Sequence, residues 1–195
     1  MKSFPFYGQL WRMRYIQRWG LMKNSRPENL SEHTLDTAII AHCLGVLRNT
    51  RFGGSVDLGQ LVLYALYHDA PEVLTGDLPT PVKYHDPALS SAYKQLEELS
   101  AARLLSQLPA DLQPAFAPYL LGRGQQEVLA LCKAADKLSA LCKCIEEQKS
   151  GSSEFESARR AQLQALRQMD LPEVDLFCEL FLPGYYLSLD DLQEL

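Results

Sequence analysis

Residues 61–71 read LVLYALYHDAP. An unbroken run of seven apolar or aromatic residues predicts a helix that is buried over most of its surface. Pro71 then disrupts regular helix geometry, so His68 and Asp69 stand at a helix end, where adjacent side chains can converge on one ion. An imidazole beside a carboxylate suits a borderline divalent metal. Taken alone, however, the pair favours a capping aspartate beside a hydrogen-bonded core histidine.

The composition around this segment predicts an all-α fold. Leucine and alanine far outnumber the β-branched residues valine, isoleucine and threonine. Asn29 and Glu32 resemble a capping box, and Asp57 is a second helix cap. Residues 75–81 are rich in glycine and proline, which predicts an irregular loop. The expected helices cover residues 4–17, 30–49, 57–69, 71–74, 87–107, 111–121, 125–149, 153–168 and 172–182.

Length and charge limit what the chain can do. Its 195 residues are most simply one domain, residues 1–195. With 19 Lys and Arg against 24 Asp and Glu, the formal net charge is −5. This balance argues against a disordered chain and against a generally basic binder of nucleic acid polymers. An anionic ligand would therefore need a local positive charge or a metal ion.

The sequence also predicts a cytoplasmic protein with no membrane partner. No apolar run approaches the roughly 20 residues of a membrane-spanning helix. The N-terminal residues lack the apolar segment and small-residue cleavage site of a signal peptide. The five cysteines form no CxxC pair and fall within apolar helical patterns, so they are expected to be buried, reduced thiols.

Two further residues could complete a metal site with His68 and Asp69. His33 falls in the first turn of the second predicted helix, where polar neighbours indicate a solvent-accessible mouth. His42 lies nine residues later, on the opposite face, and is a poor second ligand from that helix. Asp136 lies on an apolar, small-residue helix face, where a metal would explain its charge. The alternative for Asp136 is a solvated carboxylate at the edge of that face.

The spaced residues His33, His68-Asp69 and Asp136 resemble the HD superfamily of metal-dependent phosphohydrolases. A longer block, from Tyr67 to Tyr84, is similar to the bacterial HD-domain 5'-deoxynucleotidases. Other matching segments extend this resemblance over nearly the whole chain: Arg18-Trp19, Leu21-Met22, Glu28-Asn29, Ser31-Glu32-His33, Phe52-Gly53-Gly54 and Leu187-Ser188-Leu189-Asp190. The resemblance implies a single-domain, HD-type helical bundle with its metal site between helices.

The resemblance further implies one divalent cation, of the Co, Mn, Zn or Fe class, held by His33, His68, Asp69 and Asp136. Such an ion would lower the pKa of a water molecule and screen the charge of a phosphate. The implied reaction is hydrolysis of deoxyribonucleoside 5'-monophosphates to deoxynucleoside and phosphate. Glu72 is the candidate for proton transfer to or from the reacting groups, with an N-terminal helix charge as its alternative role.

The resemblance also indicates which residues hold the substrate. Arg18 would bind and orient the phosphate, since a guanidinium offers paired donors to its oxygens. Trp19 would form a wall that excludes a ribose 2'-hydroxyl. Few contacts would distinguish one base from another, so broad tolerance of the base is expected. Lys83 could add positive potential to the site, but the favoured interpretation is a solvated lysine. The other residues expected at the substrate are His33, Asp69, Asp77, Leu78, Pro79, Thr80 and Asp136.

Two alternatives remain open at this point. Another HD reaction, on nucleoside triphosphates or guanosine polyphosphates, would need additional cations, and the matching segments hold few besides Arg18, Lys23, Arg26 and Lys83. A non-catalytic, metal-stabilised helical binding module would have a closed coordination shell and no turnover. The resemblance also implies a homodimer, and apolar residues at 176–177 and 180–182 could form its interface or complete the monomer core.

Overall fold

The computed structural model of this chain describes residues 3–83 and 85–194, except for the Thr80 side chain. Its helices confirm the all-α prediction, and within the described ranges the only extended pairing is a bridge between Gln17 and Asn29. Two 3₁₀ segments, Trp11–Tyr15 and Leu182–Tyr186, lie between α-helices. The α-helices are α1 (Phe6–Leu10), α2 (Leu30–Arg51), α3 (Leu58–Tyr67), α4 (Glu72–Thr75), α5 (Thr80–Lys83), α6 (Pro87–Leu105), α7 (Gln113–Leu120), α8 (Gln126–Lys149), α9 (Glu156–Gln168), α10 (Pro172–Leu180) and α11 (Leu189–Gln193).

The main core lies where α2, α3 and α8 pack on one another, with α9 and α10 against its edges. Leu44, Leu61 and Leu138 are completely buried there. Each such leucine contributes about 1.5–3 kcal/mol to stability. Gly45 lets α3 approach α2 closely, because a Cβ atom at this position would lie 2.6 Å from Leu58 Cδ2. These contacts fix the three helices that carry His33, His68 and Asp136.

A second, smaller core supports the turn after α3 from the other side. It consists of Phe6, Ala70, Leu104, Leu108 and Leu120, which come from α1, the α3–α4 turn, α6, the residues after α6, and α7. Ala70 directly follows the His68-Asp69 pair and is completely buried. The turn that carries this pair is therefore held between two apolar clusters.

The predicted helix starts at Asn29 and Asp57 are confirmed. Asn29 Oδ1 accepts hydrogen bonds from the backbone of Ser31 and Glu32 at 2.9 and 3.1 Å, and Glu32 Oε2 accepts one from the Asn29 backbone. Asp57 Oδ1 accepts from the backbone of Gln60 at 3.0 Å. Both caps satisfy backbone donors that have no partner within the helix.

Two predicted boundaries were wrong. The continuous helix expected over residues 4–17 is α1 followed by a 3₁₀ segment, because Ile16 turns to an extended conformation and accepts a hydrogen bond from the Leu30 backbone. The loop expected over residues 75–81 ends early, since Thr80 already begins α5. Pro81 is compatible with this, because the first turn of a helix needs no proline N–H.

The cysteine prediction holds in part. All five cysteines are free thiols. Cys132 and Cys144 are buried as expected, whereas Cys43, Cys142 and Cys178 stay partly exposed because they lie at the margin of the main core. None of the helices within residues 3–83 and 85–194 is both long and apolar enough to cross a membrane.

The irregular segment between the 3₁₀ helix and α2 is anchored by a buried ion pair on α8. Glu147 is fully buried and accepts hydrogen bonds from the backbone of Ser25, at 2.8 Å, and of Arg26, at 3.3 Å. Lys143 Nζ donates to Glu147 Oε1 and to the Arg26 carbonyl, at 2.6 Å in each case. This pair fixes the segment that also carries Arg18 and Trp19.

We predict that Glu147→Gln lowers the free energy of unfolding at pH 7 by about 3 kcal/mol, as expected for a broken buried ion pair. Burial alone would raise the pKa of Glu147, but hydrogen bonds from Lys143, Ser25 and Arg26 lower it from 4.5 to about 2. The stability from this ionisation is therefore complete above about pH 5 and declines as the pH falls toward 2. Urea unfolding between pH 7 and pH 3 measures both effects.

Glu127→Gln is the matched control, because Glu127 forms a partly exposed ion pair with Arg48. It should cost less than about 1 kcal/mol. Equal losses in the two variants, or an unchanged pH dependence in Glu147→Gln, would contradict the anchoring role of Glu147.

Candidate active site

Four polar residues distant in sequence meet where α2, α3 and α8 converge. His33 comes from the first turn of α2, His68 caps the end of α3, Asp69 follows it, and Asp136 lies in the middle of α8. His33 Nε2 lies 3.1 Å from Asp136 Oδ1 and 3.5 Å from Asp69 Oδ2. His68 Nε2 lies 3.1 Å from the same Asp69 oxygen. The tertiary structure thus brings together all four of the predicted metal ligands.

The Nδ1 atoms of the two imidazoles are held from outside the cluster. His68 Nδ1 lies 2.7 Å from the Ala65 carbonyl, which requires Nδ1 to donate and leaves Nε2 of a neutral ring as an acceptor. His33 Nδ1 lies 3.1 Å from Ser139 Oγ. Such outer contacts orient metal-binding histidines in proteins. Ser139 was missed by sequence reasoning, although its place one helical turn after Asp136 is a usable signal.

The donor set and its geometry fit a divalent cation. Ligand atoms of His33, His68 and Asp136 all lie within 4.8 Å of one another. In the described part of the chain, His68 Nε2 is buried and has no hydrogen-bond partner, although the Asp69 carboxylate lies 3.1 Å away. A buried polar atom left in this way costs about 1–3 kcal/mol. A borderline cation with mixed nitrogen and carboxylate ligands would satisfy it.

Electrostatic coupling within the cluster is strong. Burial lowers the pKa of His68, but the neighbouring Asp69 carboxylate more than offsets this and raises the pKa to about 9. Burial would raise the pKa values of Asp69 and Asp136, yet the imidazoles of His68 and His33 hold both well below the ordinary value. The ionisation of His68, Asp69 and Asp136 is therefore linked, and a cation bound between these groups would favour a deprotonated His68 imidazole and ionised carboxylates.

The predicted environment of His33 was wrong. The imidazole does not lie at a solvent-accessible mouth but is completely buried. Its helix end is covered because α8 brings Asp136 and Ser139 against the ring and because residues 16–18 pair with residues 28–30 over the start of α2. His42 is exposed on the other side of α2, as the spacing predicts.

Arg18 reaches the cluster from the N-terminal segment. Its Nη1 lies 3.4 Å from Asp69 Oδ2, and its Nε donates to Glu28 Oε2 at 3.1 Å. Burial lowers the pKa of the guanidinium, but surrounding carboxylates, with Asp69 and Asp136 foremost, raise it above its ordinary value. The site thus holds a permanent cation next to the predicted metal ligands.

Trp19 stands beside Arg18 in a defined orientation. Its Nε1 donates to Glu28 Oε2 at 2.8 Å, and its ring packs on the buried Phe155 with 5.2 Å between centroids. Sequence reasoning assigned no role to Glu28 or Phe155. The local signals were weak: Glu28 is an acidic residue next to a helix cap, and Phe155 is one aromatic residue in a polar turn.

Glu72 and Asp77 complete the site on the α4 side. Glu72 begins α4, is buried, and within the described residues its Oε2 has no hydrogen-bond partner. Burial, with the charges of Asp69 and Asp77, raises the pKa of Glu72 to about 9. Burial also raises the pKa of Asp77, although Arg18 and the Trp19 backbone N–H counteract this effect.

The rest of the predicted substrate loop is only partly described. Leu78 and Pro79 are half-buried, next to Asp77. The Thr80 side chain lies outside the described residues, so its predicted place in the site stays a prediction. A cavity of about 520 Å³ borders His68, Asp69 and Glu72. Its volume is in the range of small-molecule sites, which is roughly 300–1,000 Å³.

The interpretation of Lys83 as a solvated residue was wrong. Helix α5 places its Nζ 2.8 Å from Glu97 Oε1 and 4.7 Å from the ring centre of Tyr93, both on α6. Only 26% of the side chain is exposed. This lysine therefore links α5 to α6, and Glu97 balances its charge.

Comparison with known sequences matches one family over most of the chain. The family of YfbR-like 5'-deoxynucleotidases matches residues 5–185 of the chain. A Vibrio parahaemolyticus protein named 5'-deoxynucleotidase VP0926 is 43% identical over 193 residues, which are 98% of this chain and 100% of that protein. The 5'-deoxynucleotidase YfbR of Escherichia coli O1:K1 is 42% identical over 195 residues, with 100% of this chain and 98% of that protein covered.

Solved structures share the fold. An HD-domain phosphohydrolase from Listeria innocua has a TM-score of 0.81 and 23% identity, with 94% of this chain and 89% of that chain covered. The cyanophage S-2L HD phosphohydrolase DatZ, bound to dA and one catalytic Zn²⁺ ion, has a TM-score of 0.61 and 22% identity, with 86% of this chain and 88% of that chain covered. The all-α architecture is therefore that of HD-domain phosphohydrolases.

We predict that Ser139→Ala weakens binding of Zn²⁺ or Mn²⁺ by about 10–100-fold, the usual cost of losing a residue that orients a metal-binding histidine. Titration against a chromophoric chelator measures this directly. Ser100→Ala removes a buried hydroxyl on α6 and is the control, expected to bind metal like the wild type. Equal metal affinity in both variants would remove Ser139 from the site.

Proposed function

Because the chain belongs to the YfbR-like 5'-deoxynucleotidase family, we propose that it is a divalent-metal-dependent hydrolase of deoxyribonucleoside 5'-monophosphates. The products are a deoxynucleoside and inorganic phosphate. The observation that carries this proposal is the convergence of His33, His68, Asp69 and Asp136 with the Arg18 cation 3.4 Å from Asp69. A chain with net charge −5 would bind a phosphate dianion here because Arg18 and a bound divalent cation offset the surrounding carboxylates.

His33, His68, Asp69 and Asp136 are the proposed ligands of one cation of the Co, Mn, Zn or Fe class. When bound, such a cation supplies Lewis acidity toward a phosphate oxygen and lowers the pKa of water. The catalytic Zn²⁺ named for the DatZ structure supports this assignment. His33, Asp69 and Asp136 would also border the phosphate, since they surround the same point.

Arg18 is the proposed phosphate-binding residue. A guanidinium carries five N–H donors, so its contacts with Glu28 and Asp69 leave donors for phosphate oxygens. Its buried position strengthens such charge-assisted bonds. Lys83, in contrast, is paired with Glu97, which leaves fewer cations for additional phosphates. The charges at this site therefore favour a monophosphate over a triphosphate or a guanosine polyphosphate.

Glu72 is proposed to transfer a proton to or from the reacting groups. Its carboxyl group is buried beside the cavity, and one oxygen has no partner among the described residues. A positioned acid or base of this kind typically contributes about 10²–10⁴-fold to a rate. The paired and largely buried environment of Asp69 suits it to ligation instead.

Trp19 and residues 77–80 are proposed to select the sugar. The indole is a rigid wall beside the phosphate-binding Arg18, and Asp77 can accept a hydrogen bond from a sugar hydroxyl. Pro79 stiffens this loop before substrate binds, which reduces the entropic cost of binding. Since these contacts address the sugar and the phosphate, broad tolerance of the base follows.

The proposal extends to the assembly and location of the protein. We propose that residues 1–195 are one HD-type domain acting as a homodimer in the cytoplasm. Leu180 and Phe181 on and after α10 are 51% and 42% exposed, which supports a role in a dimer interface, whereas Phe177 is buried in the monomer core. Light scattering during size-exclusion chromatography measures the mass in solution.

We predict that phosphate is released from all common deoxyribonucleoside 5'-monophosphates when a divalent metal is supplied, and that a chelator abolishes the release. Ribonucleoside monophosphates should react at least tenfold more slowly, because their 2'-hydroxyl meets the Trp19 wall. Phosphate assays on dAMP, AMP, dATP and ATP compare these substrates directly. Equal rates on dAMP and AMP would exclude the Trp19 role, and no release from any monophosphate would exclude the proposed reaction.

Metal binding and proton transfer should separate in two variants. Asp69→Ala is expected to lose metal and turnover together, because it removes a ligand from the cluster. Glu72→Gln is expected to keep its metal content and lose about 10²–10⁴-fold in kcat. Metal analysis and steady-state kinetics on the same preparations test both expectations. Full turnover in Glu72→Gln would remove Glu72 from the mechanism.

A further inference from the structure

One carboxylate oxygen contacts both residues that are proposed to hold the phosphate and the sugar. Glu28 Oε2 accepts a hydrogen bond from Arg18 Nε at 3.1 Å and another from Trp19 Nε1 at 2.8 Å. The Glu28 side chain is only 9% exposed. Because bonds between ionised groups are about twice as strong as neutral ones, this contact restrains the guanidinium effectively. The same atom also fixes the plane of the indole ring.

The backbone places Glu28 opposite Arg18. The Arg18 N–H donates to the Glu28 carbonyl at 2.9 Å, and Gln17 and Asn29 form an antiparallel bridge beside it. Residue 28 directly precedes the Asn29 cap of α2, and His33 lies in the first turn of that helix. Glu28 therefore ties the non-helical segment that carries Arg18 and Trp19 to the helix that carries a proposed metal ligand.

Trp19 needs this restraint because its backbone is strained. Its φ angle is +60°, in the left-handed region, which costs a residue with a Cβ atom roughly 1–2 kcal/mol. The hydrogen bond to Glu28, the contact of its ring with Phe155 and the bond from Asn24 Nδ2 to its carbonyl hold the conformation. The Arg18 guanidinium carbon lies 6.0 Å from the centre of the indole ring held in this way.

We propose that Glu28 is a positioning residue that couples phosphate orientation to the selection of deoxyribose over ribose. It holds Arg18 next to Asp69 and Trp19 against Phe155 in one fixed relative geometry. This inference rests on the proposed function, since it assigns a role within the same reaction. Without the Glu28 charge, Arg18 would be drawn toward Asp69, and the indole would lose its polar contact.

The kinetic test uses Glu28→Gln in the full chain with metal supplied. We expect kcat/KM for dAMP to fall about 10–100-fold, a typical loss when a reacting group is misplaced by about 1 Å. The ratio of kcat/KM for dAMP to that for AMP should fall as well, because a loosened Trp19 no longer excludes the 2'-hydroxyl. Glu28→Asp keeps the charge and should recover part of both quantities. Glu127→Gln, which disrupts the distant pair with Arg48, should leave both unchanged.

Fluorescence provides a readout that does not depend on activity. The chain has 2 tryptophans, and Trp11 is exposed, so a Trp11→Phe background reports Trp19 alone. In that background, Glu28→Gln should shift the emission to longer wavelength and increase quenching by acrylamide. Glu127→Gln should do neither. Circular dichroism tests whether each variant is folded. If Glu28→Gln does not fold, Glu28→Asp is used for the same measurements.

The outcomes separate the two proposals. An unchanged Trp19 spectrum, or a loss of rate with an unchanged dAMP to AMP ratio, would overturn the positioning role and leave Glu28 as a structural residue. Absence of phosphate release from the wild type would overturn the proposed function instead, and it would be seen before any variant is made. A spectral shift together with a reduced ratio supports the proposal.

Discussion

The imidazole of His33, buried between Asp136 and Asp69, is the contact on which the site depends. It joins α2 to α8 at 3.1 Å and to the end of α3 at 3.5 Å. Burying the Asp69 and Asp136 carboxylates is costly unless hydrogen-bonding or oppositely charged groups lie beside them, and the imidazole of His33 contacts both. The leucine core beneath them keeps the three helices at the separation that such pairing needs. The apolar core and the polar cluster therefore depend on the same packing of α2, α3 and α8.

The site is completed by a segment that has almost no regular structure of its own. Residues 16–29 carry Arg18 and Trp19, yet they make few apolar contacts with the main core. Buried carboxylates replace such contacts: Glu147 binds the backbone at Ser25 and Arg26, and Glu28 binds the side chains of Arg18 and Trp19. Hydrogen bonds to a carboxylate are strong and directional, so they can hold the Arg18 guanidinium of this segment in one orientation.

The electrostatics of the molecule differ between its surface and its site. The chain is acidic overall, with a net charge of −5, which disfavours polyanions. Around the cluster, carboxylates surround Arg18 and raise its pKa, while imidazoles lower the pKa values of Asp69 and Asp136. A site of this kind can accept a small dianion together with a cation, although the protein as a whole repels anions.

Features that depend on neighbouring residues could be predicted from the sequence. Helix-forming composition indicated the all-α class, and the Asn29 and Asp57 caps set two helix starts. The block of sequence from Tyr67 to Tyr84 resembled the family that the comparison shows. Only the tertiary structure decided the burial of His33, the pairing of Lys83 with Glu97, and the roles of Ser139, Glu28 and Phe155. The physical reason is distance along the chain: His33 and Ser139 are 106 residues apart, and Ser25 and Glu147 are 122 apart. Such contacts arise from the packing of whole helices, which no local pattern of residues specifies.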